Sequence, residues 1–218
     1  MSAMQQRTLE LELLGYWHCG SGRSAGTRLD AVPEKDRTGL PYAPGRHLKG
    51  LLRHAVHRAA RWGWLDDLPA PHGGPVADLE TLLFGSINHD QPRDATYPGM
   101  LAVADGKLPE DEYQYLAHPE QRDLVPGLYR DLQSTAIDAD GVASDKSLRG
   151  LEATLPVRLH APVAMEATAL DDALRAQQQT YLEGPGPWTA LERALPLIDA
   201  IGASRTRGLG EAVATFHA

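Results

Sequence analysis

Gly45-Arg46-His47-Leu48-Lys49-Gly50-Leu51-Leu52-Arg53-His54-Ala55-Val56-His57-Arg58-Ala59-Ala60-Arg61 is the most legible stretch of the chain. Leu48, Leu51, Leu52, Ala55, Val56 and Ala59 recur at i, i+3, i+4, i+7, i+8 and i+11, one apolar stripe along a helix. At about 100° per residue, Arg46, Lys49, Arg53, His57 and Arg61 fall on the opposite face. Pro44-Gly45 breaks the chain just ahead. The spacing therefore predicts a helix over 45–61 that buries one side and presents cations on the other.

Upstream, Leu9, Leu11 and Leu13 alternate with Glu10 and Glu12, the period of a half-buried strand. Residues 20–44 are rich in Gly, Ser, Arg, Asp and Pro and hold no period, which reads as a long loop or an irregular hairpin. Downstream, about 62–130 reads as an irregular insertion or lid, with a short amphipathic piece at 78–84 and a short strand near 100–103. Alternation returns from Leu151 to Met165, as one long strand or as two broken near Pro156 or Pro162, since proline donates nothing to a ladder. Leu170, Ala173, Leu174, Gln177 and Tyr181 predict a helix, and a second follows from Trp188, kinked or split at Pro196. Val213-Ala214-Thr215-Phe216 closes the chain as a strand. This order fits an α+β sheet with helices on one face, in a single domain over 1–218.

The 218 residues carry 21 Lys+Arg against 29 Asp+Glu, a net charge of −8, and are 42% hydrophobic. Such a chain is globular rather than disordered. It shows no apolar run of membrane-spanning length and no apolar leader, so the expectation is a cytoplasmic protein with no membrane partner. The single Cys19 excludes an intrachain disulfide and a multi-cysteine zinc site.

Several motifs fail on context. Gly20-Ser21-Gly22-Arg23-Ser24-Ala25 matches a dinucleotide fingerprint, but no helical period follows to bring an N-terminus onto a pyrophosphate. His54 and His57 stand i, i+3 on the helix, two ligands where zinc takes three or four. Cys19 beside His18 lacks a recognisable base, so covalent catalysis has no support. The cationic helix face, taken alone, is an ordinary solvated surface. Behind Pro44-Gly45, however, it concentrates Lys49 and Arg53 near free helix N–H groups, which favours an anion. Residues 202–210, Gly202-Ala203-Ser204-Arg205-Thr206-Arg207-Gly208-Leu209-Gly210, form a second basic loop. Its glycines permit close backbone approach and its arginines bind phosphate. Net charge thus excludes indiscriminate polyanion binding while leaving room for a narrow phosphate groove.

Four segments together resemble one family. Residues 40–53, beginning Leu40-Pro41-Tyr42-Ala43-Pro44-Gly45, are similar to the P-Y-I-P-G-S-S-L-K-G-A-L-R signature of the RAMP superfamily, whose members form the backbone of CRISPR effector complexes. Leu83-Phe84-Gly85-Ser86 resembles the L-F-G-S that follows. Thr135-Ala136-Ile137-Asp138, with Gly141, Ala143 and Glu152, resembles the family's thumb hairpin, and 202–210 its C-terminal glycine-rich loop.

The resemblance implies a ferredoxin-like, RNA-recognition-motif-type core with a thumb hairpin at about 132–151. It implies guide RNA and target RNA as partners, alongside other effector subunits and copies of the chain in a filament. Lys49, Arg53, Arg205 and Arg207 would hold the guide backbone, and Arg46 and His47, standing where the family has Ser-Ser, would bind RNA with cationic contacts in place of hydroxyl ones. Ile137, Asp138 and Lys146 would lie on the thumb that wedges between bases. Asp30 matches the aspartate of target-cleaving type III members, with rivals in Asp36 and Glu34, and if catalytic would take a divalent cation, magnesium or manganese. The other reading is an acidic capping or bridging paralogue that works through protein contacts without cleaving RNA.

Overall fold

The computed structural model describes residues 5–26, 29–86, 96–144 and 147–217. Strand β1 (Gln5–Leu13) leads through a long irregular segment into helix α1 (Gly45–Arg61), then α2 (Leu79–Phe84), β2 (Leu101–Val103) and α3 (Glu110–Ala117). After a 3₁₀ stretch at Pro119–Leu128 come β3 (Tyr129–Ser134), β4 (Arg149–Thr154), β5 (Arg158–Met165), α4 (Asp172–Leu182), α5 (Gly186–Ala194) and β6 (Ala212–His217). Four strands form one antiparallel sheet in the order β2-β5-β1-β6, while β3 and β4 pair separately. Numbered among themselves along the chain, the four sheet strands lie second-third-first-fourth, which is the ferredoxin-like order.

Alternation decides which face is covered. Leu9, Leu11 and Leu13 of β1 and Leu159, Ala161, Val163 and Met165 of β5 are all buried, and one core joins them to Leu48, Leu52 and Val56 of α1 and Leu191 and Ala194 of α5. The stripe on α1 is the one its period predicts. The alternate positions form the open face, where the Glu10 carboxylate meets His160 Nε2 at 3.0 Å, Arg158 Nε at 3.5 Å and His217 Nε2 at 3.6 Å.

The two candidate proline breaks have different outcomes. Pro156 separates β4 from β5, sending the chain from the hairpin into the main sheet. Pro162 stays inside β5, paired with Thr8. Its C=O accepts the Ala104 N–H at 2.9 Å on the side where β2 has already ended at Val103, so its missing N–H breaks no rung of that ladder. Pro196 splits the second helical segment, leaving a 3₁₀ turn at Leu195–Leu197 behind α5.

Other outcomes depart from the sequence pattern. The short strand expected near 100–103 is present as β2, yet it belongs to the main sheet and not to an insertion. Helix α3 has no fully buried residue; Tyr113, Leu116 and Ala117 pack only partly against the core. Leu170 is exposed and precedes α4, which Asp171 caps by accepting the Leu174 N–H. Gln177 is buried, its amide bonded to both the N–H and the C=O of Val76, so a polar group fills what reads as a stripe position. No helix among the described residues is long and apolar enough to cross a membrane.

Candidate nucleic-acid interface

The start of α1 is built by its neighbours. Gly45 lies against the Val103 and Ala104 backbone, where a Cβ would collide with carbonyl groups. Pro44 supplies no side-chain cap, and the Gly45 N–H instead donates to Asp105 Oδ1 at 2.8 Å. The His47 and Leu48 N–H groups turn back to the Pro44 carbonyl. The expected cluster of free helix N–H groups is therefore mostly satisfied from within, and a carboxylate answers part of the helix dipole. Among the described residues the Arg46 N–H makes no hydrogen bond.

The cations of the helix divide by use. The Arg46 side chain is 83% exposed, with Glu34 at 3.6 Å. Lys49 donates to the Leu101 carbonyl at 2.8 Å, and burial, followed by the nearby Arg53, lowers its pKa. Arg53 donates to Glu80 and to the Gly85 carbonyl, each at 2.8 Å, and His57 meets the other Glu80 oxygen at 2.9 Å. Lys49 and Arg53 thus brace α1 against β2 and α2.

The glycine-rich loop behaves differently. Gly202 and Gly210 have positive φ, and a Cβ on either would collide with the carbonyl of His18 or of Ile201. The loop is pinned where Ala203 N–H donates to the His18 carbonyl (2.8 Å) and Gly210 N–H to the Tyr16 carbonyl (2.7 Å). Between the pins, Arg205 and Arg207 stand exposed on a 3₁₀ turn, without an ion pair among the described residues. His47 Nε2 accepts the Gly202 N–H at 2.9 Å across 155 positions of sequence, joining the loop to α1. Burial, then the Arg205 charge, lowers the His47 pKa. His47 is therefore a neutral tie and not a replacement cation. Cys19, Gly20, Pro44, Arg46, His47, Gly202 and Ala203 line the resulting cleft of about 390 Å³. Burial and Glu34 push the Cys19 thiol up to about 12, which leaves it protonated.

Ile137 and Asp138 lie on the β3–β4 hairpin. Asp138 Oδ1 accepts the Asp140 and Val142 N–H groups, forming the turn, while Ile137 and Val142 are 68% and 62% exposed. Lys146 falls outside the described residues. The hairpin root is clamped to the end of β1. Trp17 and Thr154 exchange backbone hydrogen bonds, Trp17 Nε1 donates to the Leu155 carbonyl, and His18 Nδ1 bonds the Glu152 carbonyl at 2.8 Å.

Asp30 is exposed at this root. Its N–H donates to the Gly150 carbonyl, and its Oδ2 accepts the Gly150 N–H, both at 2.8 Å. The two rivals have other roles. Asp36 accepts from Thr38, Leu40 and Tyr113; burial alone would raise its pKa, but these bonds hold it below the usual carboxylate range. Glu34 accepts from Tyr42 and faces Arg46. Among the described residues no group of three His, Cys, Asp or Glu is placed to hold a metal ion. Asp30 has one carboxylate oxygen beyond its Gly150 bond, which suits a cation completed by water and phosphate rather than a protein cage.

The open sheet face, with Gln6, Thr8, Glu10, Glu12, Arg158, His160, Pro162, Ala164, Val213, Thr215 and His217, bears no Phe, Tyr or Trp, and both of its imidazoles face Glu10. It therefore lacks the stacking surface by which RNA-recognition-motif sheets read bases. Sequence reasoning missed Asp105 and Glu80, the carboxylates that cap α1 and engage its cations. The only signal was a helix start with no capping residue at Pro44.

A family model described as "RAMPs: RAMP superfamily" matches residues 10–213. Similar solved structures include a chain of the Type III-B Cmr-beta bound to cognate target RNA, with TM-score 0.64, 10% identity and 97% of both chains covered. A chain of the apo Type III-B Cmr-beta aligns with TM-score 0.57 and 9% identity, over 97% of this chain and 96% of that one. At such identities the likeness is one of fold. No curated protein matches the sequence.

Proposed function

The chain belongs to the RAMP superfamily, and on that premise we propose that it is a guide-RNA-binding backbone subunit of a type III-like CRISPR ribonucleoprotein effector. The observation that carries this reading is the His47–Gly202 tie, which places the start of α1 and the arginine loop on one cleft. Arg46, Arg205 and Arg207 hold guide phosphates there, as exposed guanidinium groups do well. Lys49 and Arg53 fix the helix that presents Arg46. The exposed apolar tip of the hairpin, Ile137 foremost, wedges between bases of the guide–target duplex, and Asp138 keeps the tip folded. The effector acts in the cytoplasm, with other subunits and further copies of this chain stacked along the guide.

Asp30, held at the hairpin root by Gly150, faces the target strand as the candidate cleaving residue. Its free oxygen would orient the attacking 2′-hydroxyl and share a magnesium or manganese ion with the RNA phosphate. That ion would offset the charge developing on the phosphate. In the assembled complex, Asp30→Ala is expected to abolish target cutting at the sites this subunit faces, with guide binding retained. Unchanged cutting at every site would remove Asp30 from the mechanism.

The guide-binding reading is tested by mobility shift with guide RNA across a salt series. Releasing counterions gives a steep loss of affinity with salt, and Arg205→Ala/Arg207→Ala is expected to lower the log–log slope by about 1.4, at ~0.7 per single-strand phosphate contact. Asp105 and Glu34 beside the cleft, and Glu110, Asp111 and Glu112 on exposed α3, favour as a second reading the capping paralogue that binds neighbours more than RNA. A flat salt response would select it.

A further inference from the structure

Helix α1 carries Arg46, Lys49, Arg53, Arg58 and Arg61, with His47, His54 and His57, and no carboxylate in its 17 residues, in a chain of net charge −8. Its exposed line of Arg46, Gly50, His54, His57 and Arg61 starts at the cleft and ends about 22 Å away, at ~1.5 Å per residue. At that far end the chain turns through Trp62-Gly63-Trp64. Both indoles are exposed, at 55% and 43%, whereas the chain's other two tryptophans, Trp17 and Trp188, are buried. The exposed pair meets edge to face with centroids 5.7 Å apart, and the Arg58 guanidinium sits 4.9 Å from the Trp62 ring. Arg58 also donates to the Leu197 carbonyl, which holds the cation in place. Of the carboxylates nearby, Asp67 is paired with Arg193 and Glu80 with Arg53 and His57, leaving Asp66 without an ion pair among the described residues.

We infer that Trp62 and Trp64 form a stacking platform for single-stranded RNA, a second contact separate from the phosphate cleft and at the other end of α1. This rests on the RNA-binding reading above and adds a site to it. Single-strand binding combines a positive track for the backbone with aromatic rings for the bases, and stacking tolerates any sequence because every base has a π face. The main sheet offers no Phe, Tyr or Trp on its open face, whereas Trp62 and Trp64 present two exposed indoles side by side. Tryptophan with arginine also marks protein interfaces. Arg46 and Arg61 at the two ends of the exposed line, with the Arg58 guanidinium on the Trp62 ring, favour the polyanion.

The test titrates the full chain with a 12-nucleotide oligouridine, following indole fluorescence and affinity together. The wild type is expected to bind with a change in indole emission, since Trp17 and Trp188 are shielded. Trp62→Ala/Trp64→Ala should lose that change and bind at least tenfold more weakly, the scale of stacking one base. Trp62→Phe/Trp64→Phe should keep most of the affinity, and Arg205→Ala/Arg207→Ala, altered only at the cleft, should bind more weakly yet keep the emission change. Circular dichroism confirms that each variant is folded. Wild-type binding without an emission change, or an alanine double variant that binds as tightly as wild type, overturns the platform and leaves the cleft reading intact. An alanine variant that keeps its oligonucleotide affinity but drops a protein subunit from the assembled effector overturns it in favour of a protein interface. A wild type that binds neither oligouridine nor guide RNA overturns both readings.

Discussion

Helix α1 and the 202–210 loop carry the same kind of charge and put it to opposite uses. Lys49 and Arg53 are hydrogen-bonded to Leu101, Glu80 and Gly85, whereas Arg205 and Arg207 face solvent from a loop whose backbone alone is anchored. The lesson is that a cation's availability depends on whether a carboxylate or an orphan carbonyl lies within reach. Arg53 stands beside the end of α2, where Gly85 leaves a carbonyl to satisfy. Among the described residues the side chains of Arg205 and Arg207 make no hydrogen bond or ion pair.

Substitution can break that contrast. The largest effect is expected from Arg53→Ala, which strands the Glu80 carboxylate and the Gly85 carbonyl and should lower unfolding free energy by about 2 kcal/mol in urea denaturation. The Arg205→Ala/Arg207→Ala variant should stay within about 0.5 kcal/mol of wild type in the same measurement, as surface changes do. A loss of stability at the loop equal to that at the helix would erase the distinction. A pH-dependent effect concerns the tie between the two regions. His47 is held neutral, with its pKa below the ordinary 6.5, so the unfolded chain binds more protons between the folded value and 6.5. Stability should therefore be highest above pH 6.5 and fall as pH drops below it, levelling beneath the folded pKa. His47→Gln, whose amide oxygen accepts the same Gly202 N–H, should flatten this dependence by less than about 1 kcal/mol in denaturation at pH 7.5 and 5.5. An unflattened profile would assign the pH response to another group.

What could be read in advance follows from how many residues share one signal. The six apolar positions of α1 and the three leucines of β1 repeat a period against a single core, so spacing alone exposed them. Pro156 and Pro196 were legible because a missing N–H acts locally. The short strand expected near 100–103 is β2, but nothing in its three residues signals which sheet it joins, and α3 has no fully buried residue to mark it as a helix. In the site, the two basic loops could be found separately. Their meeting through His47 and Gly202 spans most of the chain, and Asp105 reaches Gly45 across 60 positions. Asp36 and Asp30 look alike in sequence; only the donors around Asp36, one of them Tyr113 on α3, tell a loop brace from an exposed carboxylate.

His18 occupies an unusual mechanical position. Its ring bonds the Glu152 carbonyl at the hairpin root, and its own carbonyl receives the Ala203 N–H of the arginine loop. A single buried residue is thus the fulcrum between the hairpin and the arginine loop. On the proposed RNA-binding reading, leverage applied at the hairpin tip would be delivered through these two hydrogen bonds to the loop, so that strain at one end of the RNA footprint would change the hold at the other.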